Sequence, residues 1–463
     1  MAIKTTTTFA KKIESTTRLE PKFFLFQTIL ENAKKKYEFK KLGTISENII
    51  RGQSPKPDTY KDKIEAEVMF IRTADIKKYQ INFQTTVYLD KKIFETQKRN
   101  RIKGNDILIS VVGNYLGSCA VIPSNVKLGV FNDNSARIRI RDKNISPYFV
   151  SYFLNSSFGQ ELIHSLLTRT GQKILSAGNA KKLEIPIIKN NKLETFAKKI
   201  EENEIKSLTI LQQAQNLFYK KLNIDFSKIK KEKHYSVKLS DFAKDDLWTP
   251  AFSYPLYVNT LKAIQNKWQT VPLGEIAIVK KGDEVGSVNY NKYLDKKDTD
   301  IPFVRTSDLV NYEVDQFPDF YIPEEIYQEL KQDIKAGDIL FTKDGKIGMN
   351  GMITKNDKVI IASGISRIRL KNEDEKYNST PEYLFLILSL KETGFYPAIR
   401  RTVVASTIPH LREERLREIE IPILDKKSID EITRLVKEAF ELKDEKKKLI
   451  KEVREEIDNY FWR

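Results

Sequence analysis

The chain has one cysteine, Cys119, and three histidines, His164, His234 and His410, in 463 residues. A single thiol excludes an intrachain disulfide framework and a thiolate metal cluster. The three histidines are scattered and form no ligand set. Cys119 would need one of them as a base to act as a nucleophile. It stands instead in the run Gly117-Ser118-Cys119-Ala120-Val121-Ile122 and reads as a packed core thiol on a buried strand. No stretch approaches the roughly 18 uninterrupted apolar residues of a membrane span. The opening MAIKTTTTFAKK has no apolar h-region, so a cytoplasmic protein without signal peptide or membrane attachment is expected.

Catalytic signatures are also lacking. A DNA amino-methyltransferase needs a glycine-rich cofactor loop and an Asn/Asp-Pro-Pro-aromatic motif for the flipped base, and the sequence has neither. The nearest approach to a phosphate-binding loop, Asp344-Gly345-Lys346-Ile347, has Leu340 where the earlier glycine belongs and no hydroxyl residue after the lysine. A metal-dependent nuclease could start at Pro57-Asp58, but Glu65-Ala66-Glu67 lacks the accompanying lysine; a surface turn leading into a strand explains these residues better. The chain is therefore expected to be no enzyme and to bind no cofactor or metal. What is in deficit is acid: 63 Asp and Glu stand against 80 Lys and Arg, a formal charge of +17. That balance suits an anionic partner, nucleic acid first. With 40% hydrophobic and 10% aromatic residues the chain has material for real cores despite its charge.

What is present is a repeat. Tyr37-Glu38-Phe39-Lys40-Lys41-Leu42-Gly43-Thr44-Ile45 matches Trp268-Gln269-Thr270-Val271-Pro272-Leu273-Gly274-Glu275-Ile276. Phe70-Ile71-Arg72-Thr73-Ala74-Asp75-Ile76 matches Phe303-Val304-Arg305-Thr306-Ser307-Asp308-Leu309, and Lys103-Gly104-Asn105-Asp106-Ile107-Leu108 matches Lys335-Ala336-Gly337-Asp338-Ile339-Leu340. Paired glycines follow (Gly113 and Gly117, Gly345 and Gly348), then Ala136 to Ile140 against Ser366 to Leu370, and Leu183-Glu184-Ile185-Pro186-Ile187 against Ile419-Glu420-Ile421-Pro422-Ile423. All are colinear at 230 to 236 positions, which reads as a tandem duplication. Each half has short Ile/Val/Phe-rich strands punctuated by Gly, Pro and Asn. A helical stretch then starts after Pro147 (YFVSYFLNSSFGQELIHSLL) and after Pro381 (EYLFLILSL).

Both halves end in a long helix. Leu193, Ala197, Ile200, Leu211, Ala214 and Phe218 hold a 4-3-4-3 register interrupted by Glu204 and Ser207. Ile432, Val436, Ala439, Ile450, Val453, Ile457 and Tyr460 hold the same register, interrupted by Lys443 and Lys446. A 3.5-residue period is a coiled-coil seam. The polar break near the middle of both helices favours mutual antiparallel packing over two helices each packed on its own domain. At about 1.5 Å per residue such helices run roughly 45 Å, a little more than the about 34–36 Å of one turn of B-DNA.

The expected fold is α+β: two tandem globular mixed α/β domains separated by two long antiparallel coiled-coil helices, with an internal pseudo-two-fold repeat. The expected boundaries are a tail over 1–20, a first domain over 21–190, a first helix over 191–224, a second domain over 225–426 including a connecting segment 225–267, and a second helix over 427–463.

This arrangement resembles the specificity subunit of type I restriction-modification systems. The local signatures are the aromatic-then-Leu-Gly openings at Tyr37 to Gly43 and Trp268 to Gly274, the Gly-Asp-Ile-Leu turn and glycine loop at Gly337 to Gly348 and its degraded copy at Gly104 to Gly117, and the Ile-Pro-Ile strand before each helix. The Glu-Gln pair often found where that family's helices begin is missing at Asn191-Lys192-Leu193-Glu194 and Lys427-Ser428-Ile429-Asp430. The resemblance implies sequence-specific recognition of double-stranded DNA, each domain reading one half of a bipartite target and the helices setting the spacer and docking methyltransferases. It implies two adenine-methyltransferase (M) subunits and restriction/translocase (R) subunits as partners, with S-adenosylmethionine, ATP and Mg bound by them. The alternative is a non-catalytic adaptor or scaffold that binds other proteins through its repeated domains.

Three stretches suit DNA contact. The glycine loops 112–117 and 342–348 combine pliable backbone with Asn114, Tyr115, Lys343 and Lys346, or simply close hairpins. The run from Lys91 to Lys103 carries six basic residues against Glu95, among them Lys98, Arg99 and Arg101, and suits phosphate. Arg400-Arg401-Thr402 corresponds to Arg169-Thr170. Because the halves should read different bases, recurring residues such as Arg169 and Arg401 or Arg72 and Arg305 position phosphate or hold the domain together. Base reading falls to residues that do not recur: Arg51, Gln53 and Lys56 in the first half, Lys280, Lys281 and Asp283 in the second.

Overall fold

The computed structural model describes residues 20–61, 66–168, 171–188, 191–232, 234–239, 247–283, 300–371, 376–404 and 408–462. The tail expected over 1–20 falls, but for Glu20, outside them. The architecture is mixed α/β, in two compact units: residues 1–202 with 448–463, and residues 203–447. The division cuts through both long helices, Asn191–Leu222 and Lys426–Trp462, rather than falling at their ends.

In the first unit β1 (Phe39–Lys41) pairs antiparallel with β10 (Glu184–Pro186). One sheet runs in the order β2 (Ile50–Arg51), β9 (Ser135–Ile138), β6 (Ile107–Ser110), β7 (Cys119–Val121). A second runs β4 (Val87–Leu89), β3 (Val68–Ile71), β8 (Gly129–Phe131), β5 (Arg101–Ile102), with β3 and β8 parallel. Leu108 and Ala120 of one sheet share a core cluster with Ile71, Ile102 and Phe131 of the other. Strand β6 is buried along its whole length, which is why it reads Ile-Leu-Ile without alternation. Cys119 is fully buried, and burial pushes its thiol up to about 12, so it is a core residue.

The helical stretch after Pro147 is two helices, not one: Pro147–Asn155 and Ser157–Ser165. Ser146 caps the first by accepting from the Phe149 N–H (3.4 Å). Ser156 ends it and caps the second, accepting from the Gly159 N–H (3.1 Å). The two pack so tightly that a Cβ on Gly159 would sit 2.0 Å from the Phe153 carbonyl. Residues 448–462 complete this unit. Phe461 stacks on Phe158 (centroids 4.6 Å apart, planes at 30°), and Trp462 Nε1 donates to Ser157 Oγ (2.6 Å).

In the second unit β11 (Thr270–Pro272) pairs antiparallel with β23 (Glu420–Pro422). The larger sheet runs β12 (Ala277–Lys281), β20 (Ile365–Leu370), β17 (Ile339–Thr342), β18 (Asn350–Met352). The smaller runs β16 (Tyr321–Ile322), β13 (Ile301–Val304), β19 (Ile360–Ile361), with β13 and β19 parallel. Two further pairs are β14 (Leu309–Val310) with β15 (Glu313–Val314), and β21 (Val403–Val404) with β22 (Pro409–His410). Strand order in the larger sheet is the same as in the first unit. Thr380 caps the helix Pro381–Ser389 at the place that Ser146 occupies in the first unit.

The long helices run antiparallel within each unit. In the second, Asn203 meets Glu445 (3.0 Å), Lys206 meets Glu438 (3.4 Å) and Lys221 meets Glu431 (3.4 Å). In the first, Lys192 meets Glu456 (3.1 Å). The first helix stops after Leu222 because Asn223 turns to a left-handed φ of 50°. The seam's last position belongs to Phe461, which is buried, rather than Tyr460, which lies half-buried against Tyr37. A phenylalanine has no hydroxyl to satisfy there.

The polar break in the seam is buried. Lys446 donates to Glu204 (2.5 Å) and to Glu313, and Asn311 donates to the other Glu204 oxygen (3.0 Å). Lys447 donates to Asp357 (2.6 Å) and Thr354 (3.1 Å). Lys443, wholly buried, lies 3.8 Å from Glu204 and 4.0 Å from Glu313, and its ammonium donates no hydrogen bond among the described residues. Burial would raise the Glu204 carboxyl, but Lys443 and Lys446 outweigh it and hold the group at about 2. Burial pushes the Lys443 ammonium down, against the pull of both glutamates.

Removing one partner of the well-bonded pair, by Lys446→Met or Glu204→Gln, should cost about 3–5 kcal/mol in urea unfolding, since a buried charge is left alone. Lys443→Met should cost less than either, because the ammonium it removes makes no hydrogen bond, although two cations are then left facing three carboxylates. The Glu204 contribution is present above the ordinary carboxylate range and fades as pH falls toward about 2. The stability gap between wild type and Glu204→Gln should narrow over that window.

Candidate nucleic-acid interface

Both glycine loops close hairpins and also present side chains. In the first unit the loop joins β6 to β7, with Gly113 and Gly117 at φ of 87° and 89°. The Gly117 N–H donates to the Ser110 carbonyl (2.9 Å) and the Ser118 N–H to Tyr115 (2.9 Å). Asn114 is exposed at the tip, and Tyr115 is half-exposed beneath the Lys77 ammonium (4.5 Å from the ring centre). In the second unit the loop joins β17 to β18. Lys346 is exposed, whereas Lys343 is buried with its ammonium 3.3 Å from Glu413 and 3.7 Å from Asp344. Lys343 thus braces the loop from inside. Strand β22 flanks it: the Gly345 N–H donates to the Pro409 carbonyl (3.0 Å), and His410 Nδ1 contacts the Asp344 carboxylate. Val404 and Ile408 are exposed beside them. Sequence reading did not single out this His410 contact, because nothing in the spacing ties position 410 to 344.

The basic run forms the wall of a cleft in the first unit. The helix Lys91–Thr96 and the turn Lys98–Asn100 lead into β5, and Lys98 and Arg99 are exposed. Arg101 lies over the Phe94 ring (4.3 Å) and donates to the Phe94 carbonyl (2.9 Å). The cleft, about 450 Å3, is lined by Lys98, Arg99, Arg101, Lys103, Lys127, Arg137 and Arg139, with Asn48, Ile50, Phe94 and Ile102, and among the described residues by no carboxylate. Lys127 is the member that sequence could not have supplied, since it stands alone in a turn. Near it Arg51 is exposed and donates to the Asp133 carbonyl (2.9 Å). Gln53 and Lys56 are exposed, and the Gln53 carbonyl accepts from Asn100 (3.1 Å).

Several recurring arginines hold backbone and acids. Arg72 pairs with Asp75 (3.0 Å) and Arg305 with Asp308 (3.3 Å). Arg139 binds Asp106 through two nitrogens (2.6 and 2.7 Å), and Arg369 binds Asp338 in the same way (2.6 and 2.7 Å). Arg401 is buried, donates to the Glu418 carbonyl (3.0 Å) and carboxylate (3.3 Å), and is pushed down by that burial. Thr402 donates to the Ala398 carbonyl (2.8 Å). Arg400 stacks over Phe252 (4.4 Å) and donates to its carbonyl (2.7 Å). Arg169 lies outside the described residues. Lys280 and Lys281 are exposed on β12, opposite Arg367 and Ser366, and Asp283 beyond them is half-exposed.

Among the described residues no three His, Cys, Asp or Glu side chains come together as a metal site, and no helix is long and apolar enough to cross a membrane.

Residues 265–452 match the family model described as "Type I restriction modification DNA specificity domain". Over those residues the second half of the chain is similar to that domain. Among curated proteins, the type I restriction enzyme EcoBI specificity subunit of Escherichia coli is 26% identical over 180 residues, covering 37% of this chain and 37% of that protein. The chain thus matches little more than a third of that relative's length. Among solved structures, the type I restriction-modification S subunit from M. genitalium aligns at 14% identity and a TM-score of 0.32, covering 92% of this chain and 95% of that one. The HsdS subunit from Thermoanaerobacter tengcongensis aligns at 13% and 0.29, covering 92% and 96%. Overall superposition is poor in both.

Arg401→Ala should lower stability by about 1–3 kcal/mol, because it strips buried acceptors of their donor. Lys346→Ala, at an exposed tip, should stay within about 0.5 kcal/mol of wild type. Chemical denaturation of the two variants distinguishes a bracing residue from a presented one.

Proposed function

We propose that this chain is the specificity subunit of a type I restriction-modification complex and reads double-stranded DNA without catalysing a reaction itself. The specificity-domain match over 265–452 carries the reading. Support comes from the colinear repeat, from the corresponding strand orders β2-β9-β6-β7 and β12-β20-β17-β18, and from the net charge of +17. Each repeated domain reads one half of a bipartite target. Residues that differ between the halves, such as Arg51, Gln53 and Lys56 against Lys280 and Lys281, face bases. Asn114, Tyr115, Lys346 and the basic run of the first unit meet phosphate and groove. The helix pair sets the spacer and docks two adenine-methyltransferase subunits, restriction/translocase subunits join them, and S-adenosylmethionine, ATP and Mg belong to those partners.

Added to cognate methyltransferase subunits, the chain should direct adenine methylation to one bipartite sequence, read by single-molecule sequencing. Methylation indifferent to its presence, or salt-insensitive binding to a protein instead of DNA, would point to the adaptor role. Inserting four residues into either long helix should lengthen the spacer, and an unchanged spacer would remove the ruling function of the helices.

A further inference from the structure

At one place the two units share a backbone arrangement and oppose each other in charge. In the first, Arg137 reaches from β9 to the carbonyls of Arg101 and Arg99. In the second, Arg367 reaches from β20 to the carbonyls of Asp333 (2.6 Å) and Gln332 (3.0 Å). Arg101 and Asp333 therefore stand at equivalent positions beneath equivalent arginines. Asp333 neutralises its neighbours: Arg369 lies 2.8 Å away, Lys335 2.9 Å and Arg367 3.8 Å. Arg101 instead adds a cation to the group around it.

The segments leading into these positions differ in the same sense. The helix Lys91–Thr96 opens on Lys91-Lys92, and its counterpart Glu324–Leu330 opens on Glu324-Glu325. Glu324 ties down Lys358 (2.8 Å), in the turn before β19. Lys127, in the turn before β8, has no such tie. Among the described residues Lys98, Arg99, Lys103 and Lys127 make no ion pair, and all four are exposed around the cleft of about 450 Å3. Four cations without an ion pair among the described residues, converging on a concavity whose described lining holds no carboxylate, favour an extended anion there. A phosphodiester backbone has the charge spacing to fill it.

We propose that the first unit holds one strand of duplex DNA by its phosphates in this cleft, and that the second unit has no such grip at the corresponding place. The inference rests on the reading that the chain binds DNA. It adds that the two halves are electrostatically unequal: the first supplies the sequence-independent hold, and the second relies on other surfaces.

The test uses the full chain and a fluorescein-labelled mixed-sequence duplex, titrated over a range of salt. Wild type should show log K falling steeply with log salt. The triple variant Lys98→Ala, Arg99→Ala, Lys127→Ala should lower that slope by about 2 to 3, since each neutralised phosphate adds about 0.9. A triple of lysines around the corresponding place in the second unit, Lys331→Ala, Lys335→Ala, Lys358→Ala, should leave the slope unchanged. The charge-conserving Lys98→Arg, Arg99→Lys, Lys127→Arg should restore it, which separates charge from shape or misfolding. If the first triple has no effect, or both triples act equally, the proposal is overturned while the DNA reading stands. Displacement of the duplex by inorganic phosphate at constant ionic strength would reveal a free-anion site and also overturn it. A wild type that binds no duplex removes the reading itself.

Discussion

Three lysines and three carboxylates share a buried interior where the helices pass each other in the second unit: Lys443, Lys446 and Lys447 with Glu204, Glu313 and Asp357. An apolar seam of Leu, Ile, Val and Ala is tolerant of sliding, because one knob resembles the next. A buried ion pair is not. Moving one helix by a heptad would leave Glu204 and Lys446 facing hydrocarbon, at about 3–5 kcal/mol for each stranded charge. The cluster therefore fixes which residues of the two helices meet, at some loss of the stability that a fully apolar seam would supply. Lys443, buried without a hydrogen bond, makes part of that loss visible. The connection also reaches beyond the helices, since Glu313 and Asp357 belong to the sheet domain and so anchor it to the helix pair.

Recurrence along the chain sorts residues by role. Positions that repeat, such as Asp106 and Asp338 with Arg139 and Arg369, or Arg137 and Arg367, bind backbone and each other and so build the same scaffold twice. Positions that diverge lie on the outside of that scaffold, among them Arg51 and Lys56, and Arg101 against Asp333. The two units thus share a frame and differ in residues on its surface.

Much of the fold was legible in the residues. The alternation of short strands, the proline at each helix start and the 3.5-residue register all depend on local geometry, and local geometry is written in sequence. The break at Ser156 was not legible, because a serine inside an apolar run reads as a tolerated helix residue until its extended backbone splits the stretch and Gly159 lets the second helix close against Phe153. The depth of the polar interruption was not legible either. Glu204 and Lys446 stand at seam positions of the heptad, but nothing in the spacing brings Glu313 from the sheet domain to meet them. At the candidate interface the exposed Lys98, Arg99 and Lys346 could be picked out from composition, whereas the interior places of Lys343, Arg401 and Thr402 depend on the Glu413, Glu418 and Ala398 partners that the fold brings to them. Lys127 entered the cleft only through pairing of β8 with β3 and β5.

The aromatic closure of the first unit by Phe461 and Trp462 bears on how the molecule is made. Residues 448–462 leave the ribosome only after every residue of the second unit, yet the core around Phe158 needs them. The unit that is begun first is therefore finished last, with Phe158 and its neighbours unsealed throughout synthesis of everything between. Such a nascent chain carries an open apolar surface for an extended time, and ribosome-associated chaperones are the natural occupants of it.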